Sequence, residues 1–137
     1  DYDKSKLSKG GMIIPRSLKS VDLTPEAAAV IGLEAGKATP QDIMTAILSM
    51  QKDLLWFGGI GTYIKSTEES DADVGDKAND PIRVDAHKIR AKVIGEGANL
   101  GITQRGRIEF SANGGLINTD NLKEIKQDLE DLSDAIE

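Results

Sequence analysis

Ala91-Lys92-Val93-Ile94-Gly95-Glu96-Gly97-Ala98-Asn99-Leu100-Gly101 carries a short apolar strand into a glycine-rich turn that holds one acid and one amide. Glycines at a strand end let peptide groups approach a ligand closely and point N–H donors at it, so a turn of this composition can hold a nucleotide. Gly95-x-Gly97-x-x-x-Gly101 is one residue away from a dinucleotide fingerprint, with Thr103-Gln104-Arg105 able to open a helix behind it and Asp120 near the place of a ribose-binding acid. The spacing alone leaves a structural turn and a ligand loop both open.

A second stretch has the same design. Asp53-Leu54-Leu55-Trp56-Phe57 runs as an apolar strand into Gly58-Gly59-Ile60-Gly61-Thr62-Tyr63-Ile64-Lys65. In a parallel α/β sheet such strand ends share one edge, and ligands bind there.

Around these strands the chain alternates helix and strand signals. Thr24-Pro25-Glu26 and Thr39-Pro40-Gln41-Asp42 each read as an N-cap, an N1 proline and an early acid, so two helices are expected to begin there. Ile43, Ala46, Ile47 and Met50 recur at helical spacing and give the second helix an apolar face. Met12-Ile13-Ile14 is a strand candidate closed by Pro15. Asp53–Phe57 is expected as a buried strand, and a weaker helix over Val74–Asn79 should stop at Asp80-Pro81. Strand 92–95, a helix over 104–111, a turn at Asn113-Gly114-Gly115 and strand 116–118 complete an α/β order, and the acid-rich stretch from Ser66 to Asp76 is expected as a mobile loop.

With Val74-Gly75-Asp76-Lys77-Ala78-Asn79-Asp80, Asp1-Tyr2-Asp3-Lys4-Ser5, Gly10-Gly11-Met12-Ile13-Ile14-Pro15-Arg16, Thr103-Gln104-Arg105-Gly106-Arg107-Ile108-Glu109 and Asn118-Thr119-Asp120, the two glycine stretches resemble the large NAD-specific glutamate dehydrogenases of bacteria over about residues 1–120. The resemblance implies a portion of an NAD-binding domain: an α/β fold with a partial Rossmann-like sheet, largely parallel and flanked by helices. It implies NAD as cofactor, glutamate and 2-oxoglutarate as substrates of the full-length enzyme, and a homo-oligomeric parent. It places Glu96, Gly97, Ala98 and Asn99 on the nicotinamide side of the cofactor, Asn99 near the carboxamide, with Gly58, Gly59 and Gly61 in the neighbouring loop. The pyrophosphate reading of Gly95–Gly101 then gives way to a nicotinamide one. The phosphate-binding turn and the catalytic lysine and aspartate of the family are expected elsewhere in the parent, so no catalytic residue is assigned here and these 137 residues are expected to be inactive alone.

Composition sets further bounds. A chain of 137 residues with 39% hydrophobic content can bury a core. It has no cysteine, so disulfides and thiolate zinc sites drop out, and no apolar run approaches the roughly 20 residues of a membrane helix. No metal site, no membrane association and no secretory signal are expected, and the location implied is cytoplasmic. A net charge of −6 argues against a nucleic-acid partner, and the basic cluster Lys4, Lys6, Lys9, Arg16 and Lys19 reads as a solvated segment.

Other chemistries find little support. His87 is the only histidine and has no nucleophile motif beside it, so it reads as a surface residue. Glu96 could serve as an acid or base, but in such a turn its carboxylate more often anchors loop N–H groups. Trp56 and Phe57 read as strand core rather than a base-stacking platform, and Asp71, Asp73 and Asp76 lack calcium-loop spacing.

The resemblance leads residues 121–137 to be expected outside the family pattern. Leu122, Ile125, Leu129, Leu132 and Ile136 repeat at intervals of three and four, the seam of an amphipathic helix. That seam could pack on the sheet, cover an otherwise exposed apolar face, or make the chain a non-catalytic scaffold that self-associates.

Overall fold

The computed structural model describes residues 2–15, 17–97 and 100–118, with Asn118 as backbone only. The chain divides into two compact units, 1–50 and 51–137.

In the first unit, strand β1 (Val21–Leu23) pairs antiparallel with β2 (Gly36–Ala38), Val21 opposite Ala38. Helix α1 (Pro25–Ile31) lies between them in sequence: Thr24 caps it by accepting the Ala27 N–H, and Gly32 ends it in the left-handed region at φ 76°. Helix α2 (Pro40–Ser49) opens on a reciprocal capping box between Thr39 and Asp42. Both starts fall where the Thr-Pro pairs place them. Val21, Leu23, Ala28 and Ile43 form the core of this unit. The expected strand at Met12–Ile14 is absent; Met12 and Ile14 instead pack their side chains against that core, and the segment is tied down by the Thr24 hydroxyl donating to the Gly10 carbonyl at 2.6 Å.

The second unit is built on three parallel strands in the order β3 (Lys52–Phe57), β6 (Ala91–Glu96), β7 (Leu116–Asn118). Between β3 and β6 the chain forms a small parallel pair, β4 (Ile64–Lys65) with β5 (Val84–Asp85), extended by a bridge from Ile64 to Ile102. Helix α4 (Gln104–Ala112) connects β6 to β7; Thr103 caps it, and Gly106, Arg107 and Phe110 are its buried residues. Ile64, Ile94 and Ile102 are fully withdrawn from solvent. This is a partial Rossmann-like α/β arrangement with a largely parallel sheet, as the sequence implied.

Three local expectations are corrected. Strand β3 is not buried: Phe57 is, but Leu54 and Trp56 on the alternate face are 54% and 58% exposed, because successive strand residues face opposite sides. The helix expected over 74–79 is instead helix α3 (Asp71–Val74), started by a Ser70–Asp73 capping box and ended by Gly75 at φ 74°. A 3-10 turn (Lys77–Ile82) follows, with Pro81 inside it. The stretch from Ser66 to Asp76 is held in place: Ser66 is buried, and Glu69 accepts the Ser66 N–H at 2.8 Å and the Thr103 hydroxyl at 2.6 Å.

Candidate functional site

The parallel register sets Phe57 beside Glu96 and Trp56 beside Gly95, so β3 and β6 end together and the two glycine stretches emerge from one edge. The Gly97 N–H donates to the Phe57 carbonyl at 2.8 Å and closes the last rung of the ladder.

The turn after β6 is then drawn shut. One oxygen of the Glu96 carboxylate accepts the Gly101 N–H at 2.7 Å, and the other accepts from the Arg107 guanidinium on α4. The Gly101 carbonyl accepts the N–H groups of Tyr63 and Ile64, at 2.8 and 3.2 Å. A side chain at Gly101 would collide with the Phe57 ring at 2.7 Å. The Glu96 side chain is 5% exposed, so its carboxylate anchors the loop, as read from the sequence. Ala98 and Asn99 lie outside the described residues.

The turn after β3 is gripped only at its far end. Gly61 takes φ 128°, and a Cβ there would lie 2.7 Å from both the Asn79 amide nitrogen and the Tyr63 hydroxyl. Tyr63 stacks on Phe57 with ring centroids 5.7 Å apart and donates its hydroxyl to the Ile60 carbonyl at 2.9 Å. Asp76 accepts the Thr62 N–H at 2.9 Å, and Arg83 donates to the Thr62 carbonyl at 2.9 Å. Gly58 and Gly59 differ from Gly61: both are exposed, neither has positive φ, and a Cβ on Gly59 would meet nothing within 4 Å. The fold's own packing therefore does not require glycine there.

A cavity of about 230 Å³ sits beside these ends, lined by Thr62, Glu69, Asp73, Val74, Leu100, Ile102, Thr103, Gln104 and Arg107. The dinucleotide-fingerprint spacing has no counterpart: Gly95 lies within β6, and α4 begins only at Gln104, its first turn capped by Thr103.

Arg83 and Arg107 brace the two turns from behind, through the Thr62 carbonyl and the Glu96 carboxylate, and sequence reasoning did not single them out. The Arg83 side chain is closed to solvent and meets Asp71, Asp80 and, at 3.9 Å, Asp76. Burial alone would lower its pKa; hydrogen bonds to Asp80 and Asp71 outweigh that and raise it. Asp76 is held below the ordinary carboxylate value, first by the Thr62 N–H and then by the Asn79 amide. The signal available in the sequence was an arginine closing the aspartate-rich run 71–80.

A second cavity, of about 630 Å³, lies along α4 and includes Ser66, Thr67, His87, Arg105 and Glu109 in its lining. Glu109 accepts the Ser66 and Thr67 hydroxyls, both at 2.6 Å, and the Thr67 N–H at 2.8 Å, so its carboxylate is occupied in joining segments. His87, half exposed, stands 2.8 Å from the Thr67 hydroxyl. Among the described residues no three His, Cys, Asp or Glu side chains converge as a metal site, and no helix is long and apolar enough to cross a membrane.

The sequence model of one family, described as the catalytic domain of bacterial NAD-glutamate dehydrogenase, matches residues 1–134. The chain is 51% identical over 120 residues to the NAD-specific glutamate dehydrogenase of Halomonas elongata, an alignment covering 88% of this chain and 7% of that protein. It is 52% identical over 128 residues to the enzyme of that name from Mycobacterium tuberculosis, covering 89% and 8%. To that of Pseudomonas aeruginosa it is 53% identical over 120 residues, covering 88% and 7%. The chain thus spans less than a tenth of the length of these relatives.

Proposed function

The chain belongs to the family of bacterial NAD-glutamate dehydrogenase catalytic domains, and from that premise we propose that it supplies the nicotinamide side of the cofactor site in an enzyme that oxidises glutamate with NAD and water to 2-oxoglutarate, ammonia and NADH. The observation that carries this reading is the exposed Gly58-Gly59 pair at the shared strand edge, glycines that the packing of the chain does not demand. A cofactor lying against the backbone would demand them, because any side chain there would stand between the peptide and the ligand.

In this reading Gly58, Gly59, Gly61, Gly97, Ala98 and Asn99 line the cofactor, and Glu96 shapes the second loop through its bond to Gly101. The cofactor supplies hydride chemistry; the chain contributes position, holding two backbone loops at a fixed separation and closing them from behind with Tyr63, Arg83 and Arg107. The catalytic groups are contributed by other parts of the parent enzyme, so these residues alone turn over no substrate. A homo-oligomeric, cytoplasmic parent follows from the same reading, and the net charge of −6 supports a small-molecule rather than a nucleic-acid partner.

Amide-resolved NMR of the chain titrated with NAD⁺ tests the proposal. Shifts gathered at residues 58–61 and 96–99 are expected. A folded chain whose shifts at millimolar NAD⁺ fall elsewhere, or do not occur, would overturn the site.

A further inference from the structure

A glycine inside a strand weakens it and marks a place where another group lies close to the backbone. Gly95 stands within β6 opposite Trp56, and a Cβ on it would lie 2.5 Å from Cε3 and 2.8 Å from Cζ3 of the Trp56 indole. Two residues on, a Cβ at Gly97 would meet Cζ2 of the same ring at 3.1 Å, and one at Gly58 would meet its Nε1 at 3.5 Å. The indole therefore rests on the bare backbone of β6. It reaches past the end of the strand to Gly97 and Gly58, the glycines that open the two turns. This bed does not bury the ring. Phe57, the next residue, points to the other face and is buried, whereas Trp56 stays 58% exposed although tryptophan is on average a highly buried residue. An aromatic plate seated on glycine backbone, open to solvent and set between two glycine turns, is a surface on which a flat ring can stack.

We propose that Trp56 is the stacking residue for the nicotinamide ring, and that its indole face favours the oxidised, cationic cofactor over the reduced one. The inference rests on the nicotinamide reading above and adds to it the side chain that meets the face of the ring. The ring of NAD⁺ is a planar, electron-poor pyridinium, and indole is the side-chain π-face that attracts a cation best. On gaining a hydride the ring loses its positive charge and its aromaticity, so the cation–π attraction goes and only apolar contact remains. Stacking on Trp56 is thus strongest before hydride transfer and weakest after it, which favours exchange of NADH for NAD⁺. The same geometry accounts for Gly95, since any side chain there would lift the indole off β6.

Trp56 is the sole tryptophan, so its indole Nε1–H gives a single NMR signal that can be followed while the full chain is titrated with NAD⁺ and, separately, with NADH. With NAD⁺ that signal should move together with the amides of residues 58–61 and 97. The nicotinamide protons should shift upfield under the indole ring current and cross-relax with the indole protons. Trp56→Leu, which keeps an apolar side chain, should weaken NAD⁺ binding about three- to ten-fold and NADH binding by no more than about two-fold. Loop-amide shifts with an unmoved Nε1–H signal and unshifted nicotinamide protons would overturn the stacking and leave the nicotinamide reading standing. An equal loss of affinity for both cofactors in Trp56→Leu would overturn the preference for the oxidised form. Absence of loop-amide shifts with either cofactor would instead remove the nicotinamide reading and this inference with it. The indole and ring-proton signals are read on the unaltered chain, so they decide the matter even if Trp56→Leu fails to fold.

Discussion

The Arg107 guanidinium on α4 and the Glu96 carboxylate at the end of β6 form an ion pair with 10% and 5% of the two side chains open to solvent. The pair joins the crossover helix to the strand whose loop the helix follows. Because Glu96 also holds the Gly101 N–H, the loop closes between these two groups.

Removing one member of such a pair leaves the other charge buried. Glu96→Gln keeps the size and one acceptor but not the charge, and it should lower the unfolding free energy of the chain by about 3 kcal/mol. Urea denaturation of the two proteins measures this. A difference below about 0.5 kcal/mol would show that the pair is relaxed in solution.

Arg83 should be still less replaceable. Its fork reaches Asp71, Asp80 and the Thr62 and Asp76 carbonyls at once, at donor distances of 2.7, 2.5, 2.9 and 2.6 Å. Lysine has one ammonium and cannot serve these partners together. Arg83→Lys is expected to cost about 2–4 kcal/mol and to accelerate amide exchange at Thr62 and Ile64, whose loop the arginine fixes. Exchange confined to residues 71–80 would contradict the role given to it beside Gly61.

The glycines separate stability from binding. Gly61→Ala forces a side chain into φ 128° and against Tyr63 and Asn79, and should destabilise the chain by about 1–3 kcal/mol. Gly59→Val meets open space and should leave stability within about 0.5 kcal/mol, yet it should weaken NAD⁺-induced shifts at residues 58–61. Equal losses of stability in both variants would contradict the distinction.

Acid should unfold the chain through carboxylates that the fold holds ionised. Burial alone would raise the Glu109 pKa, but hydrogen bonds from Ser66, Thr67 and the His87 N–H depress it below the ordinary 4.5. Asp85 is depressed below 3.8, first by its hydrogen bond with Lys65. A depressed folded pKa means that the unfolded chain binds more protons in this window. The stabilisation is present above the ordinary values and is lost as pH falls through the folded ones. Glu109→Gln should lower stability at neutral pH by about 2 kcal/mol and flatten the acid limb of a pH series of urea midpoints; an unchanged limb would locate the acid sensitivity elsewhere.

In the first unit, Thr39→Ala removes the hydroxyl that accepts the Asp42 N–H and should cost about 1 kcal/mol. Amide exchange should rise first at the start of α2.

What the sequence determined by itself was local. The caps at Thr24, Thr39 and Thr103, the strand positions of β3, β6 and β7 and the shared glycine edge were all legible, because capping and hydrophobic period are written within a few residues. The anchoring role of Glu96 was legible too, since its partner Gly101 is five residues away. What only the tertiary structure decided depends on distant partners. Ser66 meets Glu109 across 43 residues, and Arg83 meets Asp71 across 12. The stretch expected to be mobile is for that reason held, and the aspartates that resembled a loose acidic run encircle a buried arginine. Strand period fixed which residues of β3 share a face, but not which face α4 would cover. Trp56 could be read as core from its neighbours in sequence; the placement of α4 on the Phe57 side left it open.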